Sequence, residues 1–177
     1  MNLSIIRFMN IKITNTPLNH WKQTVEEIKR LSTNYYTDLL EPNKFNFDFI
    51  NATPKQAYEF IKDVLVYVPD PEGIEHVSRP RISLKYANSN KNHPLDCDDK
   101  TVLMVSYYLL QNKLISNDIS KPYKIKIIVS GRGKQVHHVY PKLELNGESF
   151  LVDATYPKNI FNQTLFPEKI KYEFILL

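Results

Sequence analysis

An α+β fold is predicted for this 177-residue chain from three observations. Apolar residues recur at helical spacing in three segments before Lys121-Pro122, and after that dipeptide the period changes to two. Asn146-Gly147 then lies between two alternating segments, the strongest short-range sign of a hairpin. Helices followed by antiparallel strands make an α+β order rather than the alternation of a parallel α/β sheet. The length suits about one ordinary domain, and 42% hydrophobic against 24% charged residues excludes a disordered or collagen-like chain.

The first helix is announced by Thr16-Pro17, a capping hydroxyl and a first-turn proline. Its apolar stripe is Leu18, Trp21, Val25, Ile28 and Leu31, with Glu26 and Arg30 spaced for an i,i+4 pair on the wet side. Residues 34–50 are aromatic and irregular around Pro42. Thr53-Pro54-Lys55-Gln56 supplies a capping box, and Ala57, Phe60, Ile61, Val64, Leu65 and Val68 mark the buried face of a second helix that Pro69-Asp70-Pro71 ends. From there to His93 the chain reads as a loop-rich connection. A third helix starts at Cys97, with Val102, Val105, Ser106, Leu109, Leu110 and Lys113 along one stripe. Strands follow over 123–129, 135–145 and 148–155, the first two joined through Gly131-Arg132-Gly133. Residues 1–50 are thus expected to form a helical extension packed on a domain of residues 51–177, the two making one unit.

The 23 basic and 19 acidic residues give a net charge of +4, but no run of five like charges occurs, so no nucleic-acid partner is expected. The first fifteen residues lack a sustained apolar stretch, so no signal peptide and a cytoplasmic location are expected, and no segment reaches membrane-spanning length. One cysteine, Cys97, excludes an internal disulfide and a cysteine-rich metal cluster.

That cysteine carries the chemical question. A two-residue turn at Asn146-Gly147 pairs Leu145 with Glu148, so opposed residues have numbers that sum to 293. Tyr140 then faces Asp153 and His138 faces Thr155, which makes His138 and Asp153 diagonal neighbours on one face. His137 points to the other face. A thiol at a helix N-terminus with a histidine and a carboxylate on the adjoining hairpin is the set a cysteine nucleophile needs. The imidazole takes the thiol proton, the carboxylate orients the ring, and the Cys97 amide, in the first helical turn, is available to an oxyanion. Asp96, Asp98 and Asp99 work against activation by raising the thiol pKa. Their plain role is helix capping; their functional one, for Asp98 and Asp99 above all, is to recognise a cationic substrate group such as a lysine or diaminopimelate side chain. Tyr140 is kept as a further substrate-contact candidate, although packing explains it as well. Arg79 and Arg81 are either ion-paired or bind a substrate carboxylate. No spacing singles out a metal site from His93, Asp96, Asp98 and Asp99, nor from His137 and His138, so no metal and no cofactor are expected.

Leu95-Asp96-Cys97-Asp98-Asp99-Lys100, then Val136-His137-His138-Val139-Tyr140, then Phe150-Leu151-Val152-Asp153-Ala154-Thr155 resemble, in order, the transglutaminase-like cysteine peptidase superfamily. The stretch Tyr67 to Gly73 with Ser78-Arg79-Pro80-Arg81 is similar to small bacterial and bacteriophage members, so the resemblance spans about residues 54–157. It departs at Leu95, where a glycine is usual, and it matches no second oxyanion donor, for which Asn88, Asn90, Asn92 and His93 are the candidates. The resemblance implies a papain-like core with Cys97 as nucleophile, His138 as base and then acid, and Asp153 as orienting carboxylate. It also implies a peptide or protein substrate, a thioester acyl-enzyme, and a place in or near a virion. Water as acceptor gives amide hydrolysis, the expected reaction; an amine gives transamidation. A non-catalytic phage structural or assembly protein that keeps the fold is the reading from another class.

Overall fold

The computed structural model describes residues 20–88, 93–115, 122–165 and 167–176. Thr16, Pro17, Leu18, Asn90 and Asn92 lie outside them. The described residues form helices α1 (Trp21–Tyr35), α2 (Pro54–Val64), α3 (Pro80–Tyr86) and α4 (Cys97–Ile115), a 3-10 turn at Tyr36–Leu40, and strands β1 (Lys124–Gly131), β2 (His138–Leu145), β3 (Glu148–Leu151) and β4 (Ile170–Ile175). The strands make one antiparallel sheet in the order β3-β2-β1-β4. The α+β class is therefore present as expected.

Helix α4 is the axis of the molecule. Every residue from Asp98 to Leu110 is buried, so the helix is covered all round rather than along the single stripe the sequence suggested. On one side Val102 packs with Val25, Ile28 and Leu31 of α1 and with Ile127, Val129 and Val139 of the sheet. The other side, with Leu103, Met104 and Tyr107, meets α2 through Ala57, Tyr58 and Ile61. The irregular stretch before α2 is tied to it as well, since Tyr107 Oη donates to Ala52 O at 2.6 Å and Gln111 Nε2 to Phe49 O at 3.0 Å.

Helix α1 has its apolar face where the spacing put it, but its charges pair at i,i+3: Lys29 with Glu26, and Arg30 with Glu27. In α2 the capping box is formed, Thr53 N donating to Gln56 Oε1 at 2.9 Å and Gln56 N to Thr53 Oγ1 at 3.3 Å. The helix stops at Val64, four residues before the sequence expectation. Val66-Tyr67-Val68 favours extended backbone, and Val68 exchanges two backbone bonds with Leu95, at 2.9 and 3.0 Å. Leu95 is thus a buried, extended anchor, a role that does not need glycine. The expected loop before Cys97 contains α3, signalled only by Pro80 at its first turn. Arg79, just before it, is paired with Asp38 and stacked on Tyr35 at 4.0 Å, the ion-paired reading of that residue.

The hairpin register is as derived: Leu145 faces Glu148 and Lys142 faces Leu151. Asn146 (φ 53°) and Gly147 (φ 86°) both take the left-handed conformation a type I′ turn requires. β3 ends at Leu151 instead of running to residue 155, and Pro141 explains why. Its carbonyl accepts from Val152 N at 3.2 Å, so its nitrogen faces the same neighbour with no hydrogen to donate. Released from the ladder there, the chain brings Asp153 to His138. β4, which the sequence reading passed over, completes the sheet against β1.

Candidate active site

The start of α4 is stitched by its own acids. Asp98 N donates to Asp96 Oδ1 at 3.2 Å and Asp96 N to Asp99 Oδ2 at 3.1 Å, a reciprocal cap. Asp99 Oδ1 also accepts from Ser78 N at 2.7 Å, which fastens the preceding loop. Thr101 Oγ1 bonds both Cys97 O, at 2.7 Å, and Val139 O, at 3.1 Å. The Cys97 turn is thereby tied to the strand that begins with His138.

His138 is 6% exposed and its Nε2 lies 2.8 Å from Asp153 Oδ2. With Nε2 committed to the carboxylate, Nδ1 is the nitrogen with which a proton can be exchanged. Asp153 is itself held on several sides. Oδ1 accepts from Thr155 N at 2.9 Å, Oδ2 from Thr164 Oγ1 at 3.4 Å, and its carbonyl from Tyr58 Oη and Asn159 Nδ2, each at 3.2 Å. Burial works to raise its pKa, but the His138 bond and charge, the Thr155 amide and Asn159 hold the carboxyl below its ordinary range. Lys100, 4% exposed, donates to Lys62 O at 3.2 Å and to Ala154 O at 3.1 Å, pinning the turn after Asp153. Burial brings its pKa down to about 8, with Asp153 opposing.

Cys97 and His138 line one cavity of about 420 Å³ together with His20, Trp21 and Thr24 of α1, Glu75, Asp96 and His137. The thiol is half-buried. Its pKa is pushed well above the usual value by burial first, then by Asp96 and Asp98, with Glu75 adding and the Val139 amide opposing.

The structure therefore joins three of the six predicted site residues, Cys97, His138 and Asp153, and sets three aside. Asp98 and Asp99 are 2% and 0% exposed and do not line the cavity; Asp99 caps and fastens α4 from within. Burial among acids raises the pKa of both. Tyr140 is 1% exposed, its hydroxyl held by Glu168 and Lys171 and its ring tilted against His138 at 5.5 Å, so it is packing under the imidazole. Of the candidate oxyanion donors, neither Asn88 nor His93 lines the cavity; His93 stacks on Tyr86 at 4.2 Å. The supports of Asp153 had no signal short of the fold. Neither did half-exposed Tyr67, whose phenol is pushed up to about 12 by burial, Asp96 and Cys97. Among the described residues no helix is long and apolar enough to cross a membrane. No family model, curated protein or solved structure matches the chain.

Proposed function

We propose that this chain is a thiol-dependent amide hydrolase of the transglutaminase-like, papain-fold type, acting on a peptide or side-chain amide. The observation that carries the reading is the 2.8 Å bond between buried His138 Nε2 and Asp153 Oδ2, beside a cysteine at the first turn of a helix and in the same cavity. Because the thiol is protonated at rest, His138 Nδ1 takes its proton as Sγ attacks the carbonyl carbon. The oxyanion accepts from the Cys97 backbone N–H. The imidazolium, stabilised by Asp153, returns the proton to the departing amine and leaves a thioester at Cys97. His138 then activates water, which releases the acid and the free thiol.

The test needs no natural substrate. p-Nitrophenyl acetate should acetylate Cys97 in a burst of one equivalent and then turn over slowly, read as nitrophenolate release and intact mass. His138→Ala should slow acylation by about 10²–10⁴, and Cys97→Ser should abolish the burst. Acetylation at the rate of an ordinary thiol, unchanged in His138→Ala, would sink the proposal and leave a non-catalytic scaffold. Hydroxamate formation with added hydroxylamine, faster than hydrolysis, would turn it toward transamidation.

A further inference from the structure

Among the described residues, the only ones with acidic or basic side chains on the wall of the Cys97 cavity, histidine aside, are Glu75 and Asp96. Behind them stand two more acids. A carboxylate oxygen of Asp98 lies within 4.8 Å of one from Asp70 and one from Glu75, and Asp96, Asp98 and Asp99 form a second such group. Asp98 Oδ1 and Asp70 Oδ1 are both buried with no hydrogen-bond partner. Among the described residues, none of Asp70, Glu75, Asp96 and Asp98 pairs with a lysine, arginine or histidine. The chain has 23 basic residues and a net charge of +4, so cations are not scarce. A buried acceptor without a donor is costly, and converging carboxylates without a counter-charge must take up a proton or a cation.

We propose that this cluster is the subsite for a primary ammonium group, the end of a lysine-type side chain next to the amide that Cys97 attacks. The proposal rests on the amide-hydrolase reading and specifies its substrate class. Three N–H donors on one ammonium match the carboxylate oxygens of Asp70, Glu75 and Asp98, which lie within 4.8 Å of one another, with Glu75 opening on the cavity. Trp21, Val25, Val129 and Val136 of the same cavity give the methylene stem an apolar wall. A bare calcium ion fits less well, because it wants six to eight oxygens. Both oxygens of Asp99 already receive amides, Asp96 Oδ1 receives another, and Glu75 Oε1 receives the Thr24 hydroxyl at 2.9 Å. The acid that meets the ammonium at the cavity wall is thus Glu75, with Asp70 and Asp98 behind it.

The experiment is protection of Cys97 from iodoacetamide, read by intact mass in EDTA, with Nα-acetyl-lysine methylamide and its neutral counterpart Nα-acetyl-norleucine methylamide as probes. The lysine probe should protect saturably at roughly millimolar concentration, and the norleucine probe should not. Glu75→Gln, at an exposed position that does not threaten folding, should weaken protection at least about tenfold, the loss of one charge-assisted bond. Equal protection by both probes, protection by neither, or protection unchanged in Glu75→Gln would overturn the proposal. So would protection by millimolar calcium where the lysine probe does nothing, which would make the cation a metal. Alkylation is read independently of turnover, so a failed catalytic reading shows as missing acetylation with lysine protection intact.

Discussion

Burial, with Asp96 and Asp98 beside it, pushes the Cys97 thiol up, so the proposed attack relies on a neighbouring base that takes the proton as the substrate reacts rather than on a preformed thiolate. That places the burden on His138 and on what holds its ring. Asp153→Asn keeps the shape but removes the charge that stabilises the imidazolium, and should slow acetylation of Cys97 by about 10–10². Asn159→Ala removes the donor to Asp153 O and the acceptor of Leu165 N at 2.6 Å. It should cost about 1–3 kcal/mol in chemical unfolding and slow acetylation less than Asp153→Asn does; the reverse order would show that the carboxylate is not what orients the base. The nearness of His138 and Asp153 was legible in part: the register set by Asn146-Gly147 holds from Leu145–Glu148 to Lys142–Leu151, and beyond it the chain leaves the ladder before Asp153 meets His138. That Asp98, Asp99 and Tyr140 are buried was not legible, because local sequence says what a residue can do and not which side of it the rest of the chain covers.

At the scale of elements, two glycines test how the hairpin delivers its histidine. At Gly147 a Cβ meets nothing within 4 Å, so Gly147→Ala carries only the cost of a left-handed φ of +86°. That is about 1 kcal/mol, or roughly 2–4 °C in Tm for a chain of this size. At Gly131 a Cβ would stand 2.0 Å from Gln135 O, and the backbone leading to His138 would have to move. Gly131→Ala should therefore cost more than about 2 kcal/mol and slow acetylation of Cys97, whereas Gly147→Ala leaves its rate unchanged. Equal effects in thermal melts and acetylation assays would mean that the β1–β2 connection does not position the base. The strong local signals, the capping box of α2 and the type I′ turn, carried over from sequence to structure. α3 and β4 did not, because seven residues that begin with a proline and six on a sheet edge take their shape from what they pack against.

For the whole molecule, the buried charges predict an unusual dependence of stability on pH. Burial, despite the His76 amide, lifts Asp70 to about 6 from an unfolded value of 3.8, and burial raises Asp98 and Asp99 in the same sense. Between pH 3.8 and these raised values the folded chain binds more protons than the unfolded one, so stability falls as pH rises. Asp153 has the opposite sign, its contribution being present above 3.8 and lost only as pH falls below that. Lys100, at about 8 when folded against 10.5 unfolded, leaves the unfolded chain with more protons above pH 8, so stability climbs there, nominally by on the order of 3 kcal/mol over the full range. The climb is cut short because Cys97 and the buried tyrosines Tyr107, Tyr108 and Tyr140 hold their protons longer in the fold, which favours unfolding above about pH 9. Thermal melts at fixed ionic strength should therefore fall from pH 4.5 to 7, pass a minimum near pH 7–8 and recover by pH 9. Asp98→Asn should raise the melting temperature at pH 7 and flatten the acid limb, because it leaves a neutral group where a charge was being forced. Lys100→Met should remove the recovery above pH 8. A melting temperature that peaks at neutral pH, with Asp98→Asn lowering it, would mean that the acids at the head of α4 are stabilised as charges by something other than the fold described.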